Sequence, residues 1–142
     1  MSSPKTKAFE KQTYLSLETF RKNGQGVPTP VWFAESNGIL YITTVNDSGK
    51  VKRIRNNGRV RIAVCDMRGG VSGEWFEAQA RLVCDGQEEE VARKALDRKY
   101  GLQKRLLELA AAGKNVDRVF LAVELGFRVI LPQMWVFLAY AF

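Results

Sequence analysis

Short strand-like runs separated by tight turns fill most of the first 84 residues of this chain. The run at 11–20 alternates, with Leu15 and Leu17 on one face, as expected for a half-buried strand. Asn23-Gly24 and Ser36-Asn37-Gly38 favour the tight turns that join neighbouring antiparallel strands. The predicted strands lie at residues 11–20, 27–34, 39–44, 59–66, 74–84 and 117–125. The segment therefore predicts a β-meander, and Pro28 and Pro30 place part of its second strand on an edge.

Helical signals appear later in the chain. Residues 87–100 carry three glutamates in their first turn and basic residues in their last, as the helix dipole favours. A second helix is predicted at 102–112, and 127–131 is predicted to extend the sheet. Five or six short strands with late helices indicate a small β-barrel of the α+β class. The 142 residues suit a single domain over 1–142, with 1–8 expected to be disordered.

The segment 43–61, TTVNDSGKVKRIRNNGRVR, combines a strand end with a short basic helix. Asp47 or Ser48 can cap the helix start through a side-chain oxygen. Asn57-Gly58 can end it, because both residues tolerate a left-handed backbone. Between positions 50 and 61 there are six basic residues and no acidic one, namely Lys50, Lys52, Arg53, Arg55, Arg59 and Arg61.

The placement of Lys50 and Lys52 in the first helical turn is unfavourable. The dipole is already positive there, so each cation costs about 0.3–1 kcal/mol. A bound anion would reverse that sign, and free N–H groups at a helix start suit phosphate. The alternative interpretation is a solvated basic helix with no ligand.

The composition restricts the chemistry that the chain can perform. It has no histidine, which removes the commonest metal ligand and general base, and we expect no metal site. Cys65 and Cys84 are expected to be buried structural thiols. No glycine-rich nucleotide loop and no serine-triad motif is present. The net charge of +7 favours an anionic partner.

The end of the chain is apolar and uncharged from 129 to 142. This run is interrupted by Pro132 and is shorter than the roughly 20 residues of a membrane span. A core strand or a surface packed on a partner subunit is the expectation, and the role of 132–142 stays open. The N-terminal sequence has no secretory h-region, and two cysteines imply no disulfide framework, so a cytoplasmic location is expected.

Three blocks of the sequence resemble the pyridoxamine 5′-phosphate oxidase-like split β-barrel family. They are TYLSLETFRKNGQGVPTPVWF (13–33), LYITTVNDSGKVKRIRNNGRVRIAVCDMRG (40–69) and GEWFEAQARLV (73–83). The middle block is the most specific, and the likeness is strongest to the flavin- and deazaflavin (coenzyme F420)-dependent oxidoreductase branch. The resemblance implies a six-stranded antiparallel split β-barrel with flanking helices.

The resemblance also implies a cofactor site between the subunits of a homodimer. The cofactor phosphate would lie on the strand end, turn and basic helix, and its ring system near the second strand. The implied cofactor-binding residues are Thr43, Thr44, Ser48, Gly49, Lys50, Lys52, Arg53 and Arg55 for the phosphate, with Pro30, Val31 and Trp32 beside the ring. No catalytic residue is assigned.

Two departures from the family pattern bear on the choice of cofactor. The member that oxidises pyridoxamine phosphate has an arginine just before the motif lysine, where this chain has Gly49, which favours deazaflavin over flavin mononucleotide (FMN). The haem-degrading relatives use a histidine ligand that this chain lacks.

The first hypothesis is therefore an oxidoreductase that moves a hydride from reduced coenzyme F420 to a small organic substrate. The alternatives are an FMN-dependent oxidoreductase and a non-catalytic flavin or deazaflavin carrier. A basic nucleic-acid-binding domain is a remote alternative, because the basic residues cluster around one turn instead of forming a stripe.

Overall fold

The computed structural model describes residues 4–101 and 117–126. Within them, a 3-10 helix at Pro4–Phe9 precedes six strands and two α-helices. The elements are β1 Tyr14–Phe20, β2 Gly26–Ser36, β3 Ile39–Val45, α1 Gly49–Asn56, β4 Arg59–Cys65, β5 Phe76–Leu82, α2 Gly86–Tyr100 and β6 Arg118–Leu125. The predicted helix at 102–112, the extension at 127–131 and the tail at 132–142 lie outside the described residues.

The six strands form one closed barrel in the order β1-β2-β3-β6-β5-β4, with β4 pairing back to β1. Every pairing is antiparallel, which confirms the predicted six-stranded antiparallel barrel. Alternate strand residues point inward, and the core includes Leu15, Leu17, Leu40 and Ile42, all fully buried. The last strand of the described chain, β6, lies between β3 and β5, an arrangement that joins residues distant in sequence.

Helix α1 covers one end of the barrel. Its Val51 and Ile54 are buried, and Ile54 joins the barrel core, so the apolar pair predicted from the sequence faces inward. The predicted helix end at Asn57-Gly58 is confirmed, since Asn57 is the C-cap, although its backbone is extended with φ −151° and not left-handed. Its side-chain oxygen instead accepts from the Arg59 N–H.

The 3-10 helix covers the opposite end of the barrel. Phe9 is buried and contacts Phe33 and Phe76 edge-on, with ring centroids 6.0 and 5.6 Å apart. Thr6, three residues earlier, is also buried. The prediction of disorder over residues 1–8 is therefore wrong for residues 4–8, because Phe9 ties this segment to the core.

The ladder between β2 and β3 is short, so residues 26–32 of β2 and 43–45 of β3 do not pair with each other; we call this unpaired stretch of the barrel wall the opening. The two strands pair only from Phe33–Ile42 to Ser36–Ile39, while among the described strands residues 26–32 of β2 pair with β1 alone. Pro28 and Pro30 lie in this half, and two prolines at alternate positions remove two N–H donors from one edge of a strand. The expected edge position of this half is confirmed within residues 4–101 and 117–126.

Helix α2 packs on the outer face of β2 and β3. The Tyr100 hydroxyl accepts from the Phe33 N–H at 2.9 Å and lies 2.7 and 2.8 Å from the carbonyls of Thr13 and Phe33. Burial raises the pKa of this phenol to about 12, so it stays protonated and donates to one of them. The hydroxyl therefore fastens the end of α2 to the barrel wall.

The two cysteines lie in different environments. Cys65 is buried at the end of β4, as expected, and burial raises its pKa. Cys84 is exposed, so the predicted burial is wrong for this residue. The physical reason is that β5 ends at Leu82, whereas the predicted strand continued to residue 84. Cys84 therefore lies beyond the strand that was expected to bury it.

Candidate functional site

The start of α1 presents free backbone donors. Ser48 is the N-cap, confirming one of the two predicted caps, and its hydroxyl faces the Val51 N–H at 3.5 Å. The Ser48 carbonyl accepts from the Lys52 N–H. Within residues 4–101 and 117–126, no acceptor binds the N–H groups of Gly49 and Lys50. Two donors at the positive end of the helix dipole are thus available to an anion.

The Lys50 side chain turns toward the end of β3. Its ammonium donates to the Thr44 hydroxyl at 3.0 Å, and Thr44 is itself buried. Burial, together with repulsion from Arg53 and Arg118, lowers the pKa of Lys50. None of the carboxylates in the described ranges forms an ion pair with it. The half-buried ammonium therefore lacks a counter-charge from this part of the protein.

Arg53 brings a second cation to the same place. Its Nε donates to the hydroxyl of Thr19 in β1 at 2.6 Å. A Cβ at Gly49 would lie only 2.8 Å from its Nη1, so the guanidinium covers the first residue of the helix. Burial and repulsion from Arg21 lower the pKa of Arg53. This guanidinium likewise contacts no carboxylate among the described residues.

Arg118, at the start of β6, adds a third cation that the sequence did not predict. It donates to the Thr43 hydroxyl at 3.3 Å and to the Thr43 carbonyl at 3.2 Å. The pairing of Val45 with Arg118 positions it there. The predicted hydroxyl pair, Thr43 and Thr44, is thus already bound by two cations, one on each face of β3.

Two predicted site residues point elsewhere. The exposed Lys52 ammonium lies 3.5 Å from Asp47, and Arg55 donates to Asn46 at 3.2 Å. Neither residue is among the charges that shift the pKa of Lys50. The structure therefore brings Ser48, Gly49, Lys50 and Arg53 together and separates them from Lys52 and Arg55.

The opening between β2 and β3 places the other predicted residues across from this cluster. Had the ladder continued beyond Phe33–Ile42, Trp32 would face Thr43 and Val31 would face Thr44. Val31 is buried in the core, so only its backbone can meet a ligand at the opening. Trp32 points outward and stacks on Tyr100, with centroids 4.4 Å apart. One face of the indole is therefore already covered.

The arrangement suits an anion and offers nothing for a metal. Lys50 and Arg53 lie at a helix start whose free N–H groups add positive potential, and Arg118 lies close enough to repel Lys50. In residues 4–101 and 117–126, no three His, Cys, Asp or Glu side chains lie close enough to hold a metal ion. The described helices include none that is long and apolar enough to cross a membrane.

Fold and site together define a six-stranded barrel protein in which a basic helix start with unbound N–H groups lies beside the unpaired stretch between β2 and β3. The family model described as pyridoxamine 5′-phosphate oxidase matches residues 2–125, and the chain belongs to that family. This confirms the resemblance drawn from the three sequence blocks. No curated protein matches the sequence.

Solved structures with the same fold carry different ligand names. A FAD-binding protein from Mesorhizobium loti has a TM-score of 0.60 at 19% identity, covering 84% of each chain. The haem storage protein of Vibrio cholerae has a TM-score of 0.59 at 15% identity, covering 87% of this chain and 89% of its own. An F420 reductase has a TM-score of 0.54 at 19% identity, covering 87% of this chain and 94% of its own. The shared fold therefore leaves the ligand to be argued from the residues of this chain.

The lowered pKa of Lys50 predicts a pH-dependent anion affinity. Sulfate remains a dianion throughout neutral and alkaline solution, so only the protein titrates. Because only the ammonium form attracts the anion, sulfate affinity should fall as pH rises through the lowered Lys50 pKa. The measurement is the sulfate-induced rise in Tm at pH values from about 7 to about 10.

Lys50→Arg is the matched control, because a guanidinium keeps its charge over this range. Its sulfate response should vary little with pH. An equal decline in both proteins would show that Lys50 is not the titrating group.

Proposed function

We propose that this protein binds a flavin-type cofactor through its phosphate at the start of α1 and acts as an oxidoreductase. The observation that carries the proposal is the half-buried Lys50 ammonium beside two unbound N–H groups, with no carboxylate to balance it among the described residues. A charge kept in such a place costs free energy unless an anion joins it. Membership of the pyridoxamine 5′-phosphate oxidase family makes a phosphorylated redox cofactor the natural anion.

The proposed cofactor is coenzyme F420, with FMN as the alternative. F420 carries a phosphodiester and a polyglutamate tail, and so presents several negative charges along its length. Four cations can contact such a ligand, namely Lys50, Arg53, Arg21 and Arg118. Arg21 lies close enough to Arg53 to lower its pKa, and Arg118 lies close enough to Lys50 to lower the pKa of that lysine. A net charge of +7 is consistent with the same choice.

The residues present fit this group. Lys50, Arg53 and the N–H groups of Gly49 and Lys50 would hold the phosphate, and the ring system would enter the opening beside Pro30 and Trp32. When bound, the cofactor supplies hydride transfer to a small organic substrate. The protein's part is to position the ring and to limit water. Because the cofactor carries out the hydride transfer, a chain without histidine can serve as an oxidoreductase.

Titration with purified cofactors tests the proposal. F420 or FMN should bind saturably, as followed by fluorescence, and Lys50→Ala should weaken binding about 10- to 100-fold through loss of a charge-assisted contact. Lys94→Ala removes an exposed lysine from α2 and should leave the affinity unchanged. Saturable binding of neither cofactor would contradict the proposal, as would equal effects of the two substitutions.

Turnover distinguishes an oxidoreductase from a non-catalytic carrier. The reduced cofactor should be oxidised faster in the presence of the protein and a panel of oxidised organic substrates. Binding without turnover on any of them would favour the carrier.

We also propose that two copies form a homodimer with the cofactor between them, as the family resemblance implies. The residues at the opening would then be completed by the partner subunit. Light scattering should give a solution mass of twice 16.0 kDa. A monomer mass at the concentrations where cofactor binds would contradict the shared site.

A further inference from the structure

We infer that Arg53 is a specificity-determining phosphate ligand that depends on two positioning residues, Gly49 and Thr19. The inference rests on the proposed function, since it assigns Arg53 to the phosphate of the proposed cofactor. Gly49 provides the space that the guanidinium occupies, and Thr19 fixes its orientation. Discrimination between a phosphorylated cofactor and its unphosphorylated core would thus require three residues from α1 and β1.

The space at Gly49 is specific to that position. A Cβ there would lie 2.8 Å from Nη1 of Arg53 and 3.4 Å from its Cζ and Nη2. Gly86 is the matching first residue of α2, and a Cβ at Gly86 would meet nothing within 4 Å. Glycine at the start of α2 is therefore sterically optional, whereas glycine at the start of α1 leaves room for a guanidinium.

Thr19 of β1 orients the Arg53 guanidinium through a hydrogen bond. Its side chain is fully buried, and its hydroxyl accepts from Nε of Arg53 at 2.6 Å. This bond leaves the two terminal nitrogens without an acceptor among the described residues. Terminal guanidinium nitrogens form the planar fork that binds two phosphate oxygens at once.

The Arg53 side chain extends from the last turn of α1 back toward the start of the helix. Arg53 lies in the last turn of α1, where a cation is favoured, yet its guanidinium reaches back to Gly49 at the positive end. There it repels Lys50, and Arg21 repels it in turn. A phosphate bound between Lys50 and Arg53 would relieve both repulsions at once.

The test compares affinities for FMN and riboflavin, which differ only in the phosphate, and for F420 and its deazaflavin core without the phosphate tail. In the native protein the phosphorylated form should bind more tightly. Arg53→Gln and Thr19→Val should each reduce that affinity ratio about 10-fold, the loss expected for a charge-assisted hydrogen bond. Thr19→Ser keeps the hydroxyl and should restore the ratio.

Gly49→Ala should displace the Arg53 guanidinium and lower the same ratio, while Gly86→Ala should not. Binding of the unphosphorylated core measures the folded protein that can still bind the ring. A general loss of structure weakens the binding of both compounds and therefore leaves their affinity ratio unchanged. A ratio that falls in Lys50→Ala but is unchanged in Arg53→Gln, Thr19→Val and Gly49→Ala would overturn this inference and leave the proposed function standing. A native protein without preference for the phosphorylated forms would overturn the proposed function itself.

Discussion

The short ladder between β2 and β3 is the constraint on which the candidate site depends. Pairing ends at Phe33–Ile42, and in the part of the chain that the structure describes, the half of β2 that contains Pro28 and Pro30 pairs with β1 alone. Proline lacks the N–H that a continued ladder would need. The free end of β3 can therefore lead directly into α1, with its two threonines beside the opening. The fold thus places a helix start and an open strand edge side by side.

The second constraint is electrostatic. Lys50 and Arg53 of α1 and Arg118 of β6 lie around the end of β3 and the start of α1, and the side chains of Lys50 and Arg53 donate to hydroxyl groups. Other arginines of the described residues pair with carboxylates, as in the 2.9 Å contact of Arg59 with Glu77 and the 2.7 Å contact of Arg81 with Glu88. The contrast shows that carboxylates are available to this protein, whereas within its described residues none forms an ion pair with Lys50 or Arg53.

Local features were predictable from the sequence, and long-range features were not. Alternation, turn residues and the Ser48 cap depend on neighbouring residues, so the strands and α1 followed from the sequence alone. Arg118 and Thr19 reach the site only through the pairing of β6 with β3 and the packing of α1 on β1, which no local pattern encodes. The 3-10 helix was missed because its only signal is the spacing of Thr6 and Phe9.

The same limit explains the separation of Lys52 from Lys50. The two lysines are equivalent in sequence, both in the first turn of a basic helix. Two positions along a helix place side chains on different faces, so one ammonium meets Thr44 and the other meets Asp47. Charge density in a sequence therefore indicates an anion site without selecting its ligands.

Amide chemical shifts test the central claim most directly. In a ¹⁵N-labelled protein, addition of the phosphorylated cofactor should shift the Gly49 and Lys50 amide resonances more than other backbone amides of α1. Addition of the unphosphorylated core should leave these two resonances nearly unchanged. Saturable binding of the phosphorylated form with no shift at Gly49 and Lys50 would contradict the claim that the start of α1 holds the phosphate.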